Sequence, residues 1–123
     1  MKARNLVLCE LCRPDLGNKF SLLGVFGGDL FSSTFPVTIP FSAYFEVADM
    51  EPGSHAMLIM VTAPGVEVKI EGGIEVANSG DVASLPLPNL NITLERPGEL
   101  TINVGIDGEN LVSETRSIMF QPA

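Results

Sequence analysis

The chain has no tryptophan, one tyrosine, one histidine and two cysteines among its 123 residues. Basic residues are scarce as well: seven Lys and Arg stand against fifteen Asp and Glu, a formal net charge of −8. Each shortage removes a class of function. Phosphate backbones are held by Lys and Arg that displace counterions, so no nucleic-acid partner is expected. Anionic membrane surfaces are disfavoured on the same ground. No apolar run approaches the ~20 residues of a membrane-spanning helix. The N-terminal run Leu6 to Cys9 stops at Glu10, too short for the apolar core of a secretory signal. A cytoplasmic address is the default expectation, or a host cytoplasm if a virus encodes the chain. The sequon Asn91-Ile92-Thr93 carries little weight without an export signal.

Two cysteines and one histidine leave little material for metal or nucleophilic chemistry. Cys9-Glu10-Leu11-Cys12 has CxxC spacing, but it falls in a predicted strand and not at a helix N-terminus, where a thiol would be activated. Strand residues three apart face opposite ways and stand about 10 Å apart, whereas a disulfide needs less than roughly 7 Å. Zinc would require further soft ligands. The pair is read as two small fillers of a reduced core. His55 as a catalytic base would need a nucleophile and an orienting acid. Ser54 is its neighbour, but adjacent strand residues diverge, and no Gly-x-Ser-x-Gly elbow exists. A histidine at a strand start, bonded to a turn, is the expected role. No catalytic, cofactor-binding or metal-ligating residue is nominated, and no enzyme is expected.

What is present is apolar sequence cut by turns. Hydrophobic residues make up 46% of the chain and charged residues 18%, a globular composition. Residues 1–123 form one domain, large enough to bury roughly two-thirds of its unfolded surface. The turns are Glu51-Pro52-Gly53-Ser54, Ala63-Pro64-Gly65-Val66, Arg96-Pro97-Gly98-Glu99 and Ile106-Asp107-Gly108-Glu109. Proline pre-sets φ at the second turn position and glycine takes the positive φ that follows in a type II turn. Asp-Gly between apolar runs signals a hairpin.

Strands are predicted over Asn5 to Cys12, Lys19 to Phe26, Phe41 to Ala48, His55 to Thr62, Val66 to Glu71, Leu90 to Leu94, Leu100 to Ile106 and Leu111 to Phe120. A loop, Arg13 to Asn18, joins the first two. The clearest alternation sets Phe41, Ala43, Phe45 and Val47 against Ser42, Tyr44 and Glu46, the mark of one buried face. Residues 27–40 and 72–89 resist assignment, with a short edge strand expected near Ile74 to Ala77. The fold class is all-β: an antiparallel β-sandwich of about eight or nine strands, immunoglobulin-like or C2-like.

Gly27-Gly28-Asp29-Leu30-Phe31 lacks the Lys-Ser/Thr ending of a phosphate loop. Phe31 and Phe35 nearby either plug an open end of the sandwich or anchor a partner, and plugging is favoured because most phenylalanines are buried. Acidic pairs sit near turns: Asp49 with Glu51, Asp107 with Glu109, and Glu71, Glu75 and Asp81 around a third region. Calcium would need about six to eight oxygens; facing water is the simpler role, and calcium stays open.

Three stretches carry a family resemblance: Leu8-Cys9-Glu10-Leu11-Cys12-Arg13, the run Lys19 to Phe26, and Phe41-x-x-Tyr44-Phe45 followed by Pro52-Gly53-Ser54-His55. Their order resembles a family of small bacterial and phage all-β proteins known as a domain of unknown function. One departure is Gly17-Asn18-Lys19, where the family pattern joins Gly and Lys. The resemblance implies a compact β-sandwich and no assigned activity.

The strand His55 to Thr62 bears on function most. It puts His55, Met57, Ile59 and Val61 on one side and Ala56, Leu58, Met60 and Thr62 on the other. A single sandwich covers one face of each sheet, so one set must meet something else. A loop such as Gly72 to Asn89 or a second molecule are the two candidates, with self-association slightly preferred. The expectation is a non-enzymatic binding or assembly module with a protein partner or a second copy. The alternatives are a phage virion or accessory structural component and, less favoured, a small hydrolase.

Overall fold

Period-two apolar runs become strands wherever the chain can reverse between them. The computed structural model describes residues 1–17 and 19–123; Asn18, in the expected first loop, lies outside the described residues. In chain order the strands are β1 (Lys2–Asp15), β2 (Lys19–Val25), β3 (Leu30–Ser32), β4 (Val37–Ala48) and β5 (Gly53–Ala63). They continue as β6 (Val66–Val76), β7 (Ala83–Pro86), β8 (Leu90–Leu94), β9 (Gly98–Ile106) and β10 (Glu109–Phe120). One sheet runs β2-β1-β4-β7, with β8 also on β4; the other runs β3-β10-β9-β5-β6. The two excess strands, β3 and β7, lie in the segments the sequence left unassigned. β3 pairs parallel to β10, against the expectation of a wholly antiparallel sandwich.

Turn chemistry decides the hairpins. Gly65 has φ +78° between β5 and β6, as the third position of a type II turn requires. Asp107 and Gly108, at +52° and +81° between β9 and β10, have the two positive φ values of a type I′ turn. Gly98 serves differently: a Cβ there would meet Pro64 Cγ at 2.6 Å. Its role is close approach of the β5–β6 turn. The edge strand expected near Ile74 is the far end of β6, which pairs with β5 from Ala63↔Val66 back to Gly53↔Val76 and forms the edge of its sheet.

Between the sheets lies one core, with Leu8, Phe41, Phe45, Ile59, Leu100 and Ile106 at most 1% exposed. Each such side chain contributes about 1.5–3 kcal/mol by leaving water. The expected core face of β4 holds, since Phe41, Ala43, Phe45 and Val47 are all fully buried. Its other face is less open than alternation implies. Ser42 is also fully buried and donates its hydroxyl to the Leu87 carbonyl at 3.0 Å, while Leu87 N–H bonds the Ala43 carbonyl at 2.7 Å. Asn89 Oδ1 accepts from the Cys12 N–H at 3.2 Å. The link between β7 and β8 is thereby tied to both β4 and β1.

β1 begins earlier than predicted, because a bulge between Arg4 and Val7 carries it past Asn5 (φ +55°). There Asn5 Nδ2 at 2.8 Å and Arg4 Nε at 3.1 Å from β1 join Tyr44 OH of β4, at 2.9 Å, as three donors to the Glu46 carboxylate. The Asn5 bond first, then that of Tyr44, holds this carboxyl below the usual range.

Candidate functional site

β5 lies between β9 and β6, so Leu58 faces Gly105 on one side and Glu71 on the other. Ile59 and Val61 point into the core, which by strand alternation turns Ala56, Leu58, Met60 and Thr62 outward. That face is open: Ala56 is exposed, and Leu58 is 39% exposed. The segment Gly72 to Asn89 does not fold over it, since residues 72–76 continue β6 and Ala83–Pro86 joins the opposite sheet beside β4. Gly105, in register with Leu58 on that face, projects no side chain. The result is a groove of about 430 Å³, lined also by Met57, Met60 and Gly108. That volume lies within the ~300–1,000 Å³ range of small-ligand pockets.

The rim of the groove is polar and acidic. Glu71 and Glu109 line it, together with Asn103 and Asn110. Asn110 Nδ2 donates to Ser113 Oγ at 3.1 Å, and Ser113 in turn donates to Asn103 Oδ1. These bonds orient both amides along one wall. A polar rim around an apolar floor fixes the orientation of whatever enters.

One end of the groove is closed by the β9–β10 turn, and His55 fixes that turn. His55 Nδ1 meets Asp107 Oδ2 at 2.6 Å and Nε2 meets the Glu51 carbonyl at 2.6 Å. Asp107 Oδ1 also accepts from the Ala56 N–H at 2.9 Å. Both ring nitrogens face acceptors, so the doubly protonated ring fits best. The Glu51 carbonyl, then the Asp107 carboxylate, raises the His55 pKa, and Glu75 on β6 adds to it. The His55 bond, with that of Ala56, lowers Asp107 below the usual carboxylate range. Ser54 turns the other way and donates to Glu75 Oε1 at 2.5 Å.

The turn-bonded histidine expected from sequence is therefore found, with Asp107 as partner. Cys9 and Cys12 are buried, unpaired thiols; desolvation pushes both up, and the nearby Cys12 adds to the rise at Cys9. Among the described residues no three His, Cys, Asp or Glu side chains are placed to share a metal ion. Phe35 packs against the core as expected of a plug, but Phe31 is 57% exposed. Phe31 stands on a three-residue edge strand with only β10 beside it, which leaves its outward ring uncovered. Sequence reasoning missed Asn103, Gly105 and Gly72. The signal was present in Thr101, Asn103 and Gly105, which alternate with the buried Ile102, Val104 and Ile106.

Residues 4–116 match the sequence model of a family described as Family of unknown function (DUF6941). The chain belongs to this family. The DUF6941 match runs from β1 into β10 and includes every residue that lines the groove. It agrees with the resemblance carried by the Leu8–Arg13, Lys19–Phe26 and Pro52–His55 stretches, a domain of unknown function. No curated protein matches this DUF6941 chain.

Proposed function

We propose that the protein is a non-enzymatic binding module that docks an extended, basic and apolar segment of a partner protein on the outer face of β9, β5 and β6. The observation that carries this reading is Leu58, exposed over a floor lowered at Gly105, with Glu71 and Glu109 the charged groups of the lining among the described residues. Apolar side chains of the segment fill the floor, and its Lys or Arg groups meet the two carboxylates. Met60 suits such a contact, because an unbranched thioether repacks at little cost. A second copy fits less well. A two-fold contact through this groove would bring Glu71 and Glu109 near their equivalents, in a chain already at −8. The non-enzymatic part of the reading is supported by His55, whose two ring nitrogens are both engaged, leaving none to activate a nucleophile.

Fluorescence anisotropy with a labelled octapeptide of alternating Leu and Lys tests this, with alternating Leu and Glu as control. The Lys peptide is expected to bind, the Glu peptide to fail, and Leu58→Glu to abolish binding while circular dichroism stays unchanged. Leu58→Glu adds negative charge, so unspecific attraction would rise in this variant and only groove binding would fall. Equal binding of both peptides, or a dimer in light scattering that Leu58→Glu dissolves, contradicts the proposal.

A further inference from the structure

A second cavity, of about 280 Å³, opens at the mouth of the sandwich where the β2–β3 loop, β3 and the start of β4 meet. Three aromatic side chains line it: Phe26, Phe31 and Phe35. Phe26 is held in place by stacking on Phe41, at 6.3 Å between centroids and 12° between planes. The floor is apolar, with buried Leu94 and Ile118. Among the described residues the charged side chains that line the cavity are Glu10 and Asp29, both carboxylates. The guanidinium of Arg116 lies outside the lining: its Nε donates to the Phe26 carbonyl at 3.3 Å and an Nη to Glu114 at 3.0 Å.

Aromatic faces carry a negative quadrupole that attracts cations. Carboxylates at the rim add long-range attraction, and an apolar floor favours a cation that sheds little water. A bare metal ion would find too few oxygens here, and an anion would be repelled. A primary ammonium would lose its hydration against the floor, whereas an alkylated one presents methyl groups to it. We propose that this cavity binds an alkylated ammonium cation, either a free quaternary amine or the methylated lysine of another protein. The site is separate from the β5 groove and does not depend on it.

Amide chemical-shift titrations of the full chain test the assignment, with three probes. They are choline, its neutral carbon isostere 3,3-dimethylbutan-1-ol, and an N-acetylated trimethyl-lysine methylamide. Choline is expected to shift the amides of Asp29, Phe31 and Ser32 with a dissociation constant of about 1–10 mM. The isostere is expected to bind about tenfold more weakly, the worth of a cation–π and charge contribution. Asp29 and Phe31 are exposed, so Asp29→Asn and Phe31→Ala keep the fold, and each should weaken choline several-fold. Leu58→Glu should leave the titration unchanged. Tighter binding of the trimethyl-lysine compound assigns the cation to a protein chain; tighter binding of choline assigns it to a free amine. Equal binding of choline and the isostere, no shift at about 100 mM, or indifference to Phe31→Ala overturns the proposal.

Discussion

β4 and β5 are long inner strands of opposite sheets, and their sequences advertise exposures that the fold reverses. β4 alternates apolar and polar residues, yet Ser42 on its polar face is fully buried. β5 is apolar on both faces, yet Ala56 and Leu58 lie open. The difference arises from what each outer face can bond. Ser42 reaches the Leu87 carbonyl, and Glu46 collects Asn5, Tyr44 and Arg4, so polar side chains draw neighbouring chain over β4. An apolar outer face offers no such bonds, and among the described residues no segment crosses Leu58. A buried polar face and an open apolar face in one molecule teach that alternation fixes the core side of a strand and leaves the other side undetermined.

The comparison predicts its largest contrast in stability. Phe45→Ala should cost about 3–5 kcal/mol in urea unfolding, because a fully buried ring leaves a cavity. Leu58→Ala should cost less than about 1 kcal/mol, since a partly exposed side chain leaves none. A Leu58 loss as large as that of Phe45 would mean the groove is covered in solution, and the contrast would collapse.

A smaller effect sharpens the β4 side. Ser42→Ala removes the donor to the Leu87 carbonyl and should cost about 1 kcal/mol, read as a lower urea midpoint at unchanged slope. An unchanged midpoint would show that the link between β7 and β8 does not depend on Ser42.

The smallest effect concerns pH at the end of the groove. The raised pKa of His55 gives stability that is complete below about pH 6.5 and is lost as pH rises through the folded-state value. The lowered pKa of Asp107 gives stability that is present above about pH 3.9 and is lost as pH falls through its folded-state value. The clip should therefore be strongest between these two limits. Urea midpoints measured from pH 5 to 9 should decline with rising pH in the parent and flatten in His55→Gln. A parallel decline in both would remove His55 from the account.

Much of the fold was legible. The Asp107-Gly108 and Pro64-Gly65 turns follow from residue chemistry, and the buried sets on β4, β8 and β9 follow from period two. Other features were hidden for definite reasons. β3 and β7 are three and four residues long, shorter than a pattern can establish, and each is held by a distant partner. The Asn5 bulge depends on Glu46, forty-one residues away. Of the site, Leu58 and Met60 were legible as an excess apolar face, and His55 as a turn-bonded residue. The groove itself was not legible, because Gly72, Gly105 and Glu109 become neighbours only through the β6-β5-β9 register.

The central claim is that the outer face of β5 is a docking surface. Methionine methyl resonances report on it directly, since Met60 turns outward into the groove, Met57 packs on the core side, Met50 is buried and Met119 stands beside β3. On titration with the alternating Leu-Lys octapeptide, the Met60 methyl should shift saturably, while those of Met50 and Met119 stay fixed. Shifts at Met119 alone, or none at Met60 while the peptide binds, would contradict the account.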